Sequence, residues 1–137
     1  MNEDPKKYIL KNFNFLRDEG FLFKEEVRKS TVDGGLDTVQ YIFIKNIIKI
    51  RISFYRFESC NELDITVSKL NKDSCFSFDE YMISKSYQDY FSHENESIED
   101  YISRIANIFQ IETETALKDV LNGKKWVDVP IDYSRIR

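Results

Sequence analysis

Two stretches in the middle of the chain, residues 47–57 and residues 63–68, alternate between apolar and polar positions. Alternation with a period of two is typical of a half-buried strand, because successive side chains point to opposite faces of a sheet. One face of each predicted strand is therefore apolar: Ile48, Ile50, Ile52 and Phe54 in the first, and Leu63, Ile65 and Val67 in the second.

Three further segments are predicted to join these strands. Residues 21–31 form a first strand, and TVQYIFI forms a second, with the polar pair Lys45-Asn46 as a tight hairpin before the third. DGGLD, residues 33–37, is the clearest turn, and Phe76 and Phe78 predict a short fifth strand. Consecutive strands with no helical pattern between them indicate an antiparallel meander.

A helix is predicted at the start of the chain. Asp4 followed by Pro5 is a helix start, because Asp accepts hydrogen bonds from free amide groups and Pro tolerates the first helical position. Gly20 supplies the left-handed residue that ends this helix. Its apolar residues recur at steps of three and four: Ile9, Phe13 and Leu16, with Leu10 beside them.

A second helix is predicted from Ile98 to Asn122, with Ser97 as its cap. The polar pair Glu112-Thr113 interrupts its apolar stripe, so two shorter helices are the alternative. Residues 79–91 predict a short helix and a loop. The stripe consists of Ile98, Ile102, Ile105, Phe109, Ala116 and Val120.

These elements predict a single α+β domain over residues 1–137. It has two layers: a four- to five-stranded antiparallel meander sheet, and N-terminal and C-terminal helices packed on one face of that sheet. The other sheet face is then expected to be open to solvent.

The composition points to a cytoplasmic protein. Charged residues stand at the start of the chain where a secretory signal needs an apolar run, and no window approaches the roughly 18 apolar residues of a membrane span. The two cysteines, Cys60 and Cys75, are too few for a disulfide framework, and we expect free thiols.

Acidic residues are concentrated in residues 89–119, which hold eight Asp/Glu and two Lys/Arg, a balance of −6. They have two interpretations: a well-capped, solvated helix terminus, or an acidic patch that meets a basic partner, extended by Asp89, Glu112 and Glu114. The patch residues are Glu94, Glu96, Glu99 and Asp100.

The polar side of the third strand is the second candidate surface. Lys49, Arg51 and Tyr55 combine cations with a stacking ring, as sheet-based binders of single-stranded nucleic acid do. Asp64 on the next strand is expected to offset a cation opposite it, which favours a solvated face or a protein contact. The net charge of −4 also works against binding phosphates.

No catalytic residue, metal ligand or cofactor is predicted. His93 is the only histidine, and it lies in the polar run SHENE, where a solvated side chain is expected. A metal site or a general base would need convergent ligands or an orienting group beside it.

Three parts of the chain together resemble small bacterial immunity proteins, the cytoplasmic partners that neutralise polymorphic or contact-dependent toxins. They are NFNFLRDEGF, the hairpin from YIFI through IIKIRISFYR to ELDITV, and SIEDYISRIANIF leading into LNGKKW. The resemblance implies a binding protein without catalysis, whose partner is a cognate toxin, for example a basic nuclease-type domain. It carries over no residue-level contact positions.

Two other hypotheses remain open at this point. One is a nucleic-acid-associated module that uses the sheet face at Lys49, Arg51 and Tyr55. The other is a small enzyme or ligand carrier with a pocket between helices and sheet.

Overall fold

A computed structural model describes residues 4–31, 38–56, 61–70, 74–85 and 95–126. In these ranges the chain forms one five-stranded antiparallel sheet whose strand order follows the chain order. The predicted meander is confirmed, and its short fifth strand is present but ends at Ser77, so that Phe78 begins a helix instead. The strands are β1 (Leu22–Arg28), β2 (Thr38–Lys45), β3 (Ile48–Arg56), β4 (Asn61–Lys69) and β5 (Cys75–Ser77).

The helices form the second layer, on the apolar face of the sheet. Helix α1 packs against α4, and α3 packs against β4 and β5. The buried core joins helix residues such as Phe13 and Phe109 to strand residues such as Ile50 and Ile65. The two-layer α+β prediction is therefore confirmed. The helices are α1 (Pro5–Asn12), α2 (Phe15–Asp18), α3 (Phe78–Ser84), α4 (Ile98–Glu114) and α5 (Lys118–Leu121).

The N-terminal helix begins as predicted and ends differently. The side chain of Asp4 accepts a hydrogen bond from the backbone N–H of Lys6 at 3.0 Å, and a proline occupies the first turn. Instead of one helix to Gly20, the backbone leaves helical geometry at Phe13, so α1 and α2 are separate. Gly20 does take a positive φ of +99°, and the N–H of Phe21 folds back to the carbonyl of Leu16 at 3.0 Å.

The sheet differs from prediction in two details. Lys45 pairs with Ile48 in the ladder, so the hairpin turn is Asn46-Ile47 and not Lys45-Asn46. Asn46 has a φ of 56°, a conformation that asparagine tolerates better than lysine. Strand β1 is shorter than the predicted 21–31, and Val27 is 56% exposed because β1 is an edge strand of the described sheet.

The C-terminal helix is divided, but not where the sequence pattern indicated. Ser97 Oγ accepts from the N–H of Asp100 at 3.1 Å, which confirms the predicted cap. Glu112 and Thr113 are buried inside α4, and the chain breaks at Thr115, whose φ of −125° and ψ of −96° are not helical. The break moves the apolar stripe by one residue, so that Leu117 is buried where Ala116 was expected.

None of the helices in the described ranges is long and apolar enough to cross a membrane.

Candidate functional site

The side of the sheet that points away from the helices carries most of the candidate residues, and we call it the polar sheet face. The strand register places its side chains in rows that run across β2, β3, β4 and β5. Its members include Lys24 and Glu26 at the β1 edge, and Gln40, Ile42, Ile44, Lys49, Arg51, Ser53, Tyr55, Glu62, Asp64, Thr66, Ser68, Cys75 and Ser77.

The centre of the polar sheet face is buried, which corrects the expectation of an open surface. Ile42 is 0% exposed and Ser53 is 1% exposed. Ile42 lies between Lys24 on β1 and Arg51 on β3, so longer side chains flank it on both sides. The polar groups that remain accessible are divided between two ends of the face.

The first end, which we call the basic pocket, is a depression of about 330 Å³ at the ends of β3, β4 and β5. Lys49 stands opposite Ser68, and Arg51 stands opposite Thr66. Within the part of the chain that the structure describes, neither cation has a carboxylate within 4.0 Å. The pocket is lined by Lys49, Arg51, Thr66, Ser68, Lys69, Leu70, Ser74 and Cys75.

The second end, which we call the acidic end, gathers carboxylates from β4 and α3. Burial raises the pKa of Asp64, and the charge of Asp79 raises it further, while Arg51 opposes the shift. Partial desolvation also raises the pKa of Glu62, and the charges of Asp79 and Asp64 add to it. The charge of Asp79 therefore disfavours the ionisation of both Glu62 and Asp64.

The first turn of α4 adjoins the acidic end. The hydroxyl of Tyr101 accepts a hydrogen bond from the backbone N–H of Leu63 at 3.0 Å, and both residues are buried. Burial raises the pKa of Tyr101, and the nearby charge of Glu62 contributes to the shift. Glu99 and Asp100 are exposed in the same turn, and we count them with the acidic end.

Glu96 of the predicted acidic patch is paired with a cation. Its carboxylate accepts two hydrogen bonds from the guanidinium of Arg104, at 2.9 and 3.0 Å. Such a two-point contact fixes the chain before α4. Glu112 is buried in α4 and paired with Lys85, Glu114 is exposed at the far end of α4, and Glu94 and Asp89 lie outside the described residues.

The three residues predicted to share one sheet face, Lys49, Arg51 and Tyr55, do lie on the polar sheet face, but at different ends of it. Lys49 and Arg51 line the basic pocket, whereas Tyr55 pairs with Glu62 at the acidic end. Asp64 stands opposite Ser53 and not opposite a cation, although Arg51 is close enough to influence its pKa.

Two groups of site residues are not found by sequence reasoning. The pocket groups at Ser74 and Cys75 and the carboxylates at Glu62 and Asp79 come together only in the folded chain. The alternation of β3 and β4 contains a signal for Glu62, because the register that pairs Ile52 with Ile65 also places it opposite Tyr55.

No protein-family model, curated protein or solved structure matches this chain.

A second pocket, of about 390 Å³, lies between the helices and the end of the β2–β3 hairpin. Its charges are mixed, because Glu19 and Glu114 face Lys45 and Lys118. Lys45 Nζ donates to the carbonyl of Glu19 at 2.7 Å and lies over the ring of Phe21, so this cation holds the turn before β1. Lys45 is therefore already engaged within the protein, and it does not support the hypothesis of a ligand site between helices and sheet.

Of the two cysteines and the one histidine, only Cys75 lies within the described residues. Cys75 is a free, exposed thiol in the wall of the basic pocket. Cys60 and His93 lie outside the described residues. In the described ranges, no group of three or more His, Cys, Asp or Glu side chains is arranged to hold a metal ion.

Proposed function

We propose that this chain is a non-catalytic binding protein of the immunity type, which acts in the cytoplasm and neutralises a bacterial toxin by binding a basic surface of it. The contact surface is the acidic end. The observation that carries the proposal is the convergence of Glu62 and Asp64 of β4 with Asp79 of α3, next to the first turn of α4, where Glu99 and Asp100 are exposed.

The energetics of the acidic end favour a partner. The raised pKa values of Glu62 and Asp64 mean that their ionised forms are less stable in the folded chain than in the unfolded chain. The fold therefore keeps these charges at a cost to its own stability. A basic surface would remove that cost on binding and would steer the encounter electrostatically.

The same arrangement argues against nucleic acid as the partner. A strand that followed β3 from Lys49 to Tyr55, a distance of about 20 Å, would leave the basic pocket and meet Glu62 and Asp64. Phosphates are repelled there. We therefore expect the protein to pass through a heparin column near physiological salt.

We expect the adjacent upstream gene to encode a secreted toxin, and an unrelated metabolic gene there would count against the proposal. The test uses the toxin domain of that product. Association kinetics at low salt are measured for the wild type and for Glu62→Gln, and thermal stability is measured for both. We expect association to slow several-fold, as for loss of a steering charge. Because the folded chain disfavours ionised Glu62, the variant should be at least as stable as the wild type.

The matched control is Glu19→Gln, which removes the same charge from the exposed end of α2, away from the acidic end. If both variants associate more slowly by the same factor, the effect comes from the net charge of the protein and not from the acidic end. An unchanged rate for Glu62→Gln and for the double variant Glu99→Gln/Asp100→Asn would refute the acidic end as the contact.

A further inference from the structure

The basic pocket has no role in the proposed contact with a basic partner. Its two cations, Lys49 and Arg51, face hydroxyl groups and no carboxylate within 4.0 Å among the described residues. Asp64 is near enough for Arg51 to lower its pKa, but it makes no ion pair with Arg51. Two neighbouring cations repel each other, and an anion bound between them removes that repulsion.

The pocket is built on rigid backbone. Lys49 and Arg51 are two residues apart on β3, and Ser68 and Thr66 face them on β4, so the four positions form a rectangle of about 6.6 by 4.8 Å. The rim is fixed by two backbone hydrogen bonds. Lys69 N–H donates to the carbonyl of Ser74 at 3.0 Å, and Leu70 N–H donates to the carbonyl of Ile47 at 2.8 Å.

Not every lining residue contributes a charge. The ammonium of Lys69 lies 5.0 Å from the ring centre of Trp126, so its cation is engaged elsewhere. The pocket therefore offers an ammonium, a guanidinium and hydroxyls from Thr66, Ser68 and Ser74. A group with two negative charges and several acceptor oxygens matches this set, because guanidinium and ammonium both bind phosphate oxygens well.

We infer that the basic pocket is a binding site for a phosphoryl group, either free phosphate or the head of a small phosphate monoester. The volume of about 330 Å³ accommodates such a head with a small organic body. This site uses other side chains than the proposed toxin contact, although Arg51 is near enough to Asp64 to influence its pKa.

The experiment uses the protein alone, so its outcome does not depend on the proposed function. Backbone amide NMR spectra are recorded while inorganic phosphate, O-phosphoserine or acetate is added at constant ionic strength. We expect saturable shifts at Lys49, Arg51, Ser68 and Cys75 with both phosphate compounds. If O-phosphoserine binds more tightly than inorganic phosphate, the ligand is a phosphate monoester. If the two bind equally, the ligand is free phosphate.

Variants then test the cations. Arg51→Gln should weaken phosphate binding about ten-fold, as for loss of one charge-assisted hydrogen bond. Lys24→Gln is the control, because Lys24 stands on the same face, two strands away in the row of Arg51, and is paired with Glu26 at 3.5 Å. It should bind phosphate like the wild type.

Two outcomes would overturn the inference. One is the absence of saturable shifts in the wild type, which decides the matter even if a variant fails to fold. The other is acetate binding as tightly as phosphate, because the pocket would then not select a doubly charged group.

Discussion

Replacing Tyr101 with Phe removes a single oxygen atom from the contact between α4 and β4. Strand β5 ends opposite Thr66, so the backbone N–H of Leu63 lies beyond the last strand pair on that edge. The hydroxyl of Tyr101 is its acceptor, at 3.0 Å, in a place where Leu63 is 2% and Tyr101 is 3% exposed. In Tyr101→Phe the ring still packs, but the buried N–H has no acceptor.

The expected loss follows from that unsatisfied donor. Leaving a buried backbone N–H unpaired costs about 1 to 3 kcal/mol in the free energy of unfolding. For a chain of this length the loss corresponds to a fall in melting temperature of about 4 to 12 °C. Urea denaturation measures the first quantity, and calorimetry measures the second. Hydrogen exchange at the Leu63 amide should become faster in the variant.

The control is Tyr41→Phe. Tyr41 is 5% exposed, and within the described ranges its hydroxyl makes no hydrogen bond, so its loss should not destabilise the protein at neutral pH. If Tyr101→Phe and Tyr41→Phe unfold at the same urea concentration, the Leu63–Tyr101 hydrogen bond contributes nothing, and the reasoning is wrong.

Two further predictions concern charge. Arg104→Gln should lower stability by about 1 to 3 kcal/mol in urea denaturation, because it removes both hydrogen bonds to the partly buried carboxylate of Glu96; a double-mutant cycle with Glu96→Gln should show coupling between the two residues, and simple additivity would contradict the pairing. Burial raises the pKa of Tyr41 from its ordinary value of 10.0 to about 12, so its contribution to stability is complete below pH 10 and is lost as the pH rises towards 12. Tyr41→Phe should flatten that decline, and an unchanged alkaline profile would contradict it.

The parts of the fold that sequence reasoning predicts correctly are those with local causes. The cap at Asp4 and the cap at Ser97 each depend on a hydrogen bond to a residue two or three positions away. The pairing of β3 with β4 follows from two apolar alternations that must share one buried face. Local signals of this kind are complete within a short window of sequence.

The parts that sequence reasoning misses depend on distant contacts or on single backbone angles. The polar pair Glu112-Thr113 resembles an interruption, yet it is buried, and Lys85 of a different segment pairs with Glu112. The break at Thr115 is set by one residue's backbone conformation, which no periodicity reveals.

In the candidate site, too, residues with local causes are predictable from the sequence, and residues that meet through distant contacts are not. Lys49 and Arg51 are recognisable from the alternation of one strand, and the structure places both in one pocket. The acidic end needs β4, α3 and the first turn of α4 to meet, so only its part in α4 is predictable from the sequence. Glu96 matches its acidic neighbours in type and position, and its pairing with Arg104 becomes visible only in the folded chain.

The strand order of the sheet has a consequence for how the chain reaches its native state. Every neighbouring pair of strands is consecutive in the sequence, so each hairpin closes a short loop and forms without waiting for later residues. The contact between α1 and α4, in contrast, joins segments about 90 residues apart. We therefore expect the strands to be able to pair one after another during synthesis on the ribosome, while the part of the apolar face that α4 covers stays exposed until α4 has emerged.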